Sequence, residues 1–318
     1  MRKKFFLTLV VTGAVAFCAH DELNFNVADS EDVAINQSAT LQRSADINWW
    51  STETITAEGH GIVPAGVNGI GNKRIAAKRS AMMDGYRNLV AAAGKVKITA
   101  TNTLTEEKIE ALIEGATVLS ETYDENGNCT VVLSVPIYGI KNSFAQAAFT
   151  PVEKENFPEP TRKVVAEGNY TGLIIDCGDL ELNPVLSPVI RDDKNQSVYR
   201  YENLDYDKVI VGGMIGYVKR NTVKFQNTHE QIILTSVRKK LEFVQVGSKF
   251  LLASGDKNLS RAGNNPLIIR AERLGDDNSC PVISAEDADK ILSENLSSHF
   301  LDKGAVVFTS NRIRGMRM

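Results

Sequence analysis

Beyond residue 17 the chain has no long apolar run, which removes a helical membrane span from the bulk of the protein. Cysteine is scarce. The four at positions 18, 129, 177 and 280 are far and irregularly spaced, so no zinc framework of closely spaced pairs is present. The four histidines, His20, His60, His229 and His299, form no H-E-x-x-H or other i, i+4 ligand pair. A G-x-S-x-G nucleophile elbow is absent. Positive charge is not in excess: 36 Lys and Arg against 39 Asp and Glu give −3, which argues against a nucleic-acid partner. What remains is an ordinary folded composition, 43% hydrophobic and 24% charged, and not a disordered or collagen-like one.

The N-terminus carries the clearest signal. Arg2, Lys3 and Lys4 precede 13 almost uninterrupted apolar residues, Phe5 to Phe17. This belt is too short for a bilayer span of about 20 residues and suits a signal-peptide core. Ala14-Val15-Ala16 provides a small-x-small cleavage site, so residues 1–16 are expected to be a leader and the mature protein to be exported to the periplasm or outer membrane of a bacterium. A rival reading makes Cys18 the lipid-bearing N-terminus of a lipoprotein. Val15-Ala16 suits that reading, whereas Phe17 stands where Gly, Ala or Ser is usual. Loss of Arg2, Lys3 and Lys4 takes the net charge from −3 to −6. Residues 17–48 hold six acidic residues against Arg43, with few large apolar ones, and read as a flexible acidic tether.

A length of 318 suggests two domains at roughly one to two hundred residues each. The first is placed at 49–150. A strand over Thr52 to Glu58 leads to a glycine-rich loop, 59–71, and then to a helix from Asn72 to Ala93. Ile75, Met82, Tyr86, Leu89 and Ala93 are its expected buried stripe, with Gly94 as the C-cap. Further elements are a strand over Val96 to Thr101, a short helix or turn over Glu106 to Glu114, and strands Thr117 to Tyr123 and Cys129 to Pro136. Asn126-Gly127 is expected to centre the turn between the last two. Ile140 to Phe149 reads as a helix.

Pro151, Pro158 and Pro160 mark a linker over 151–168. In the second domain, 169–318, strands are expected at Tyr170 to Asp176, Val189 to Arg191, Ser197 to Tyr201, Lys208 to Val211, Leu267 to Ala271 and Ala305 to Phe308. Ser284 opens a helix with Ala288, Ile291, Leu292 and Leu296 on one face. Phe225 to Ala253 fits either a helix then a strand, or two strands. The fold class is therefore α+β: two small domains, each a mainly antiparallel or mixed sheet packed on one or two helices.

Several segments invite chemistry. Gly66 to Lys73 resembles a phosphate loop but lacks the Gly-Lys-Ser/Thr sequence that brings amides, ammonium and hydroxyl together. Gly212-Gly213-Met214-Ile215-Gly216 lacks the dinucleotide spacing. Asp176, Asp179 and Glu181 follow a strand, where carboxylates serve either acid–base work or a turn. Cys129, Cys177 and Cys280 are open to one disulfide in an oxidising compartment or to free thiols. No catalytic, cofactor or metal site is assigned. For interaction, the candidates are Trp49 and Trp50, as an anchor or as packing, and Arg74, Lys78, Arg79 and Arg87, as a surface for an acidic partner or phospholipid headgroups or as a solvated face.

Ile55 to Gly61, followed after a loop by Arg74 to Leu89, resembles the bacterial LPP-twenty envelope lipoprotein family and the related N-terminal part of the flagellar T-ring assembly protein. The shared features are an A-x-G-x-G strand end, an Ala/Arg-rich helix and an Asp-Ala-Tyr-Arg-x-Leu core. Here the core reads Asp84-Gly85-Tyr86-Arg87-Asn88-Leu89. Thr171 to Asp176, Leu182 to Pro188, Asn265 to Ala271 and Ser284 to Ala288 add a weaker likeness, so that most of residues 51–310 are covered. The resemblance implies an envelope protein without a known enzymatic activity, some relatives being outer-membrane lipoproteins or parts of flagellar basal structures. The expected function is that of a non-catalytic structural or interaction module with envelope proteins as partners and no cofactor. The alternative is a periplasmic small-ligand or glycan-binding protein, with loop 59–71 and the carboxylates at 176–181 as rims.

Overall fold

The computed structural model describes residues 49–315 apart from 163, 220–223, 226–231, 234–242, 247–248 and 253–256. The segments expected as leader and acidic tether, with Cys18, lie outside the described residues, as does much of Phe225 to Ala253.

The first domain is built on a three-stranded antiparallel sheet in the order β1-β3-β2: β1 Thr54–Gly61, β2 Thr117–Tyr123 and β3 Cys129–Pro136. A short helix, α1 (Trp49–Thr52), precedes it. Along β1 every second residue is buried: Ile55, Ala57, Gly59 and Gly61 face inward, while Thr56, Glu58 and His60 face water. The long helix α2 (Ile70–Ala93) lies on the inward face. Its buried residues are Ala77, Ala81, Gly85, Leu89, Ala92 and Ala93, a stripe of mostly small side chains at helical spacing.

That smallness is matched across the contact. A Cβ added to Gly59 would stand 2.1 Å from the Ala81 carbonyl oxygen, and one on Gly61 would stand 1.9 Å from that of Ala77. Helix backbone therefore rests directly on strand backbone. The A-x-G-x-G pattern exists because no side chain fits between them. Gly85 is less constrained: a Cβ there would meet side chains rather than backbone, the Leu133 Cδ1 at 3.0 Å and Cγ at 3.3 Å and the Val131 Cγ2 at 3.4 Å.

This geometry corrects the expected stripe. Leu89 and Ala93 are buried and Met82 and Tyr86 are partly so, but Ile75 is 55% exposed. Gly94 does cap α2, donating to the Val90 carbonyl at 3.0 Å, in right-handed rather than left-handed conformation.

After α2 comes α3 (Glu106–Glu114), which buries Ile109, Leu112 and Ile113. The strand expected over Val96 to Thr101 does not form. Its amides turn inward on themselves, Ile98 donating to Asn102 at 2.7 Å, and the Lys97 and Ile98 carbonyls accept from Leu186 and Ser187 of the second domain. The β2–β3 turn spans Asp124 to Asn128. Only Gly127 takes positive φ (87°), and the Asp124 carboxylate accepts from the amides of Asn126 and Asn128. The expected helix over Ile140 to Phe149 shrinks to α4 (Phe144–Ala148), started by the Ser143 hydroxyl, which accepts from the Gln146 amide at 3.1 Å.

The second domain centres on a parallel sheet in the order β13-β4-β16-β8: β4 Gly172–Asp176, β8 Gly216–Lys219, β13 Pro266–Arg270 and β16 Val306–Ser310. A second, mixed sheet joins β14 (Arg273–Gly275), β15 (Cys280–Ile283), β6 (Ile190–Asp192) and β7 (Ser197–Tyr199). Short strands β5 (Glu181–Leu182) and β17 (Arg312–Ile313) pair in parallel. All five residues of β4 and of β16 are buried, as expected of parallel strands covered on both faces. Backbone pairs β9 (Lys224–Phe225) with β10 (Ile232–Ile233), and β11 (Phe243–Val246) with β12 (Lys249–Leu252).

The strand expected at Lys208 to Val211 is instead helical, α5 (Tyr206–Gly212). The Asp205 carboxylate caps it by accepting from the Lys208 amide at 3.1 Å. A short helix α6 (Lys257–Ser260) follows, and then α7 (Ala285–Ser298), capped by Ser284 as expected. Ala288, Ile291 and Leu292 are buried in α7, whereas Leu296 is 66% exposed.

Residues 45–318 form one compact unit, in which the two α+β domains share a hydrophobic core. Tyr138 of the first domain lies where a side chain on Gly213 would be: a Cβ there would come 2.5 Å from its ring. The neighbouring Gly139 amide donates to the Ile210 carbonyl at 2.7 Å. The linker is tied along the second domain by two buried carboxylates of α7. Asp289 accepts from the Thr161 amide at 2.6 Å and hydroxyl at 2.9 Å; Glu294 accepts from the amides of Glu167 and Gly168 at 2.7 and 2.9 Å. Burial works to raise the Asp289 carboxyl, but the hydrogen bonds from Thr161 and the Arg162 amide, with the Arg162 charge, together outweigh it, so the group sits below the ordinary aspartate value.

Candidate interaction surface

The sequence-derived interaction residues separate into two groups. Trp49 and Trp50 are buried, at 5% and 6% exposure. Both rings meet Tyr217 of β8 edge-on, with centroids 6.4 and 6.5 Å away, and Tyr217 in turn meets Phe308 at 6.0 Å. The Trp50 carbonyl accepts from Asn258 at 3.2 Å. The expected surface anchor is therefore a core piece: the indoles of the first domain fill the flank of the second domain's parallel sheet. Burying two indoles is more favourable than exposing them beside an available apolar wall.

Arg74, Lys78, Arg79 and Arg87 are all exposed on α2. They are not equivalent. Arg74 lies over the Tyr123 ring at 5.3 Å, and Lys78 pairs with Glu121 at 2.8 Å, so both lean across the sheet edge onto β2. The hydrogen bond and charge of Glu121 raise the Lys78 ammonium, and that of Lys78 lowers the Glu121 carboxyl. The Tyr123 hydroxyl donates to Glu121 at 2.7 Å, which pushes its own ionisation up to about 12. Arg79 and Arg87 sit on the opposite, outward side of the helix. There they alternate with side chains the sequence did not single out as exposed: Ile75 and Met83, the latter 60% exposed. The missed signal was the Ala77-Ala81-Gly85 spacing. Four-apart small residues mark the contact line, and the line about 160° away is then the outer one.

The carboxylates expected as a rim or an acid–base pair have structural partners. Asp176, 2% exposed, accepts from the Gly178 amide at 3.1 Å and the Thr309 hydroxyl at 3.4 Å. Asp179 accepts from Asn311 at 2.7 Å, and Glu181 is exposed in β5. The first two thus hold the ends of β4 and β16 together. The loop expected over 59–71 shortens to 62–69, since Gly59 and Gly61 belong to β1 and Ile70 to α2. Gly66 and Gly69 take φ of 85° and 84°, which accounts for the glycines there by backbone geometry.

Cys129, Cys177 and Cys280 are buried free thiols. Burial pushes Cys177 up to about 12 and Cys280 up to about 11, so both stay protonated and unreactive near neutral pH. Among the described residues, no group of three or more His, Cys, Asp and Glu side chains could hold a metal ion. No described helix is long and apolar enough to cross a membrane.

Comparison with known proteins reaches the second domain. Residues 172–312 are similar to the second domain of Treponema pallidum Tp0624. The match opens with the first residue of β4 and closes in β17, so it takes in the parallel sheet and its mixed neighbour but less than half of the chain. The chain matches no curated protein.

Proposed function

We propose that this is an exported bacterial envelope protein that acts as a non-catalytic interaction module, with the outer face of α2 as its working surface. The observation that carries the reading is the division of labour on that helix. One line of small residues is locked onto β1, and the opposite line presents arginines and large apolar side chains to solvent. The N-terminal apolar belt, the small-x-small site and the resemblance of Ile55 to Gly61 and Arg74 to Leu89 to LPP-twenty proteins support an envelope location, with envelope components as partners. Membrane attachment through a lipid on Cys18 belongs to the same proposal, as does kinship with flagellar T-ring proteins.

A ligand- or glycan-binding role is less well supported, because Asp176 and Asp179 are engaged in holding strand ends.

Intact mass of the protein isolated from its native cells tests the reading. Cleavage after Ala16, or a chain starting at an acylated Cys18, is expected. A full-length chain retaining Met1 in the cytosol would refute it.

A further inference from the structure

The sequence holds two Asn-Gly pairs, Asn68-Gly69 and Asn126-Gly127, and the fold places them in different surroundings. An asparagine carboxamide lies within reach of the backbone amide of the next residue. Attack by that nitrogen closes a five-membered imide, and a following glycine favours it because no side chain crowds the approach. Local structure then decides whether the reaction runs. The pair must be exposed, the amide must not be held in a hydrogen bond, and the backbone must have room to turn.

Asn68-Gly69 meets each condition. It ends the loop ahead of α2, and both residues are exposed. Among the described residues, neither the Asn68 carboxamide nor the Gly69 amide has a hydrogen-bond partner, while the Asn68 backbone carbonyl accepts from the Asn72 side chain at 3.3 Å. A Cβ on Gly69 would meet nothing nearer than the Asn72 Nδ2, at 3.9 Å. The nucleophile is the deprotonated amide, and it forms at the N-cap of α2, where the positive end of the helix favours an anion.

Asn126-Gly127 does not. Asn126 is exposed, but Gly127 is buried. In the β2–β3 turn the Gly127 amide donates to the Asp124 carbonyl at 3.1 Å, and the Asn126 amide donates to the Asp124 carboxylate at 2.9 Å. A Cβ on Gly127 would stand 3.5 Å from the Val63 Cγ2. This turn must open locally before its amide can react.

We infer that Asn68 is a site of spontaneous deamidation in the folded protein and that Asn126 is protected. The Gly69 nitrogen bonds to the Asn68 Cγ, the Cγ–Nδ2 bond breaks, and ammonia leaves with the proton that the Gly69 amide gave up. Water then opens the imide. Breaking the new bond to Cγ leaves aspartate. Breaking the original bond between the Asn68 carbonyl carbon and the Gly69 nitrogen leaves isoaspartate, with the chain running through the side chain. The sum is carboxamide and water to carboxylic acid and ammonia, with nothing oxidised or reduced. The carboxylate so formed arrives where α2 has none: its first turn carries no acidic residue, and Gly69 offers no side chain to the free amides of that turn.

Peptide mapping by mass tests this on the full chain, held folded at mildly alkaline pH. The peptide with Asn68 should gain the mass of NH replaced by O, and an isoaspartyl methyltransferase should label it. The peptide with Asn126 should convert about tenfold more slowly or less, the factor that one hydrogen bond near the upper end of its usual net strength holds back. In urea strong enough to unfold the chain, the two rates should come together. Asn68→Gln should remove the methyl label from its peptide, with an unchanged thermal midpoint showing the fold intact. Equal rates in the folded protein, faster conversion at Asn126, or an Asn68 that converts only after unfolding would overturn the inference. Rates that stay equally far apart in urea would overturn it too, since sequence and not structure would then set them.

Discussion

Gly61→Ala is expected to lower the thermal midpoint by roughly 6 °C or more, the largest single-methyl effect among the described residues. The new Cβ would sit 1.9 Å from the Ala77 carbonyl oxygen and 2.5 Å from the Ala81 amide nitrogen. Overpacking typically costs about 1–3 kcal/mol, because side chains can rotate away from the intruder. Here the obstacle is helix backbone, which can yield only by lifting α2 off β1. The cost should therefore lie at or above about 3 kcal/mol, and a chain of this size shifts by about 2–4 °C per kcal/mol. Gly59→Ala should behave alike, with backbone at 2.1 Å. Gly85→Ala is the internal control, since its new methyl meets side chains, Leu133 and Val131, and no backbone. A thermal melt followed by circular dichroism separates the three. A Gly61→Ala protein that melts like the parent would show that helix and strand are not in backbone contact.

Trp50 supports the second large effect. Trp50→Ala should destabilise the protein by about 3–5 kcal/mol, the range for emptying a buried aromatic site. Trp50→Phe should cost far less than the alanine change. The indole Nε1 is buried without a hydrogen-bond partner among the described residues, so phenylalanine removes an unsatisfied donor together with some contact area. Equilibrium unfolding in urea measures both. An alanine variant as stable as the parent would contradict core placement.

The architecture was legible where sequence periodicity and local capping agree. Helix Glu106–Glu114, strands Thr117–Tyr123 and Cys129–Pro136, and the Ser284 cap of the last helix form as read. Local signals misled where tertiary contacts decide. Val209-Ile210-Val211 is a short apolar run that fits a buried strand as well as a helix, and the Asp205 cap tips it to helix. Val96 to Thr101 has strand-like residues, but its carbonyls are taken by Leu186 and Ser187, far away in sequence.

The same limit applied to the surface. The cations on α2 could be picked out because charge is local information. Which of them face outward could not, since that depends on glycines in a different element. The usual rule that large apolar residues mark the buried face chose Ile75, yet a contact built on glycine and alanine buries the small residues and leaves the large one outside. Trp49 and Trp50 had the converse problem. Adjacent indoles suggest an anchor until the wall that covers them, Tyr217, comes into view from the second domain.

The measurement closest to the central claim is photo-cross-linking in the native cell with a photoreactive residue in place of Met83, read by the mass of the adduct. An exported protein working through the outer face of α2 should gain adducts with envelope components at position 83. The same residue placed at the exposed Lys194 of the second domain should gain few. Adducts with cytosolic proteins, or the same adducts at both positions, would contradict it.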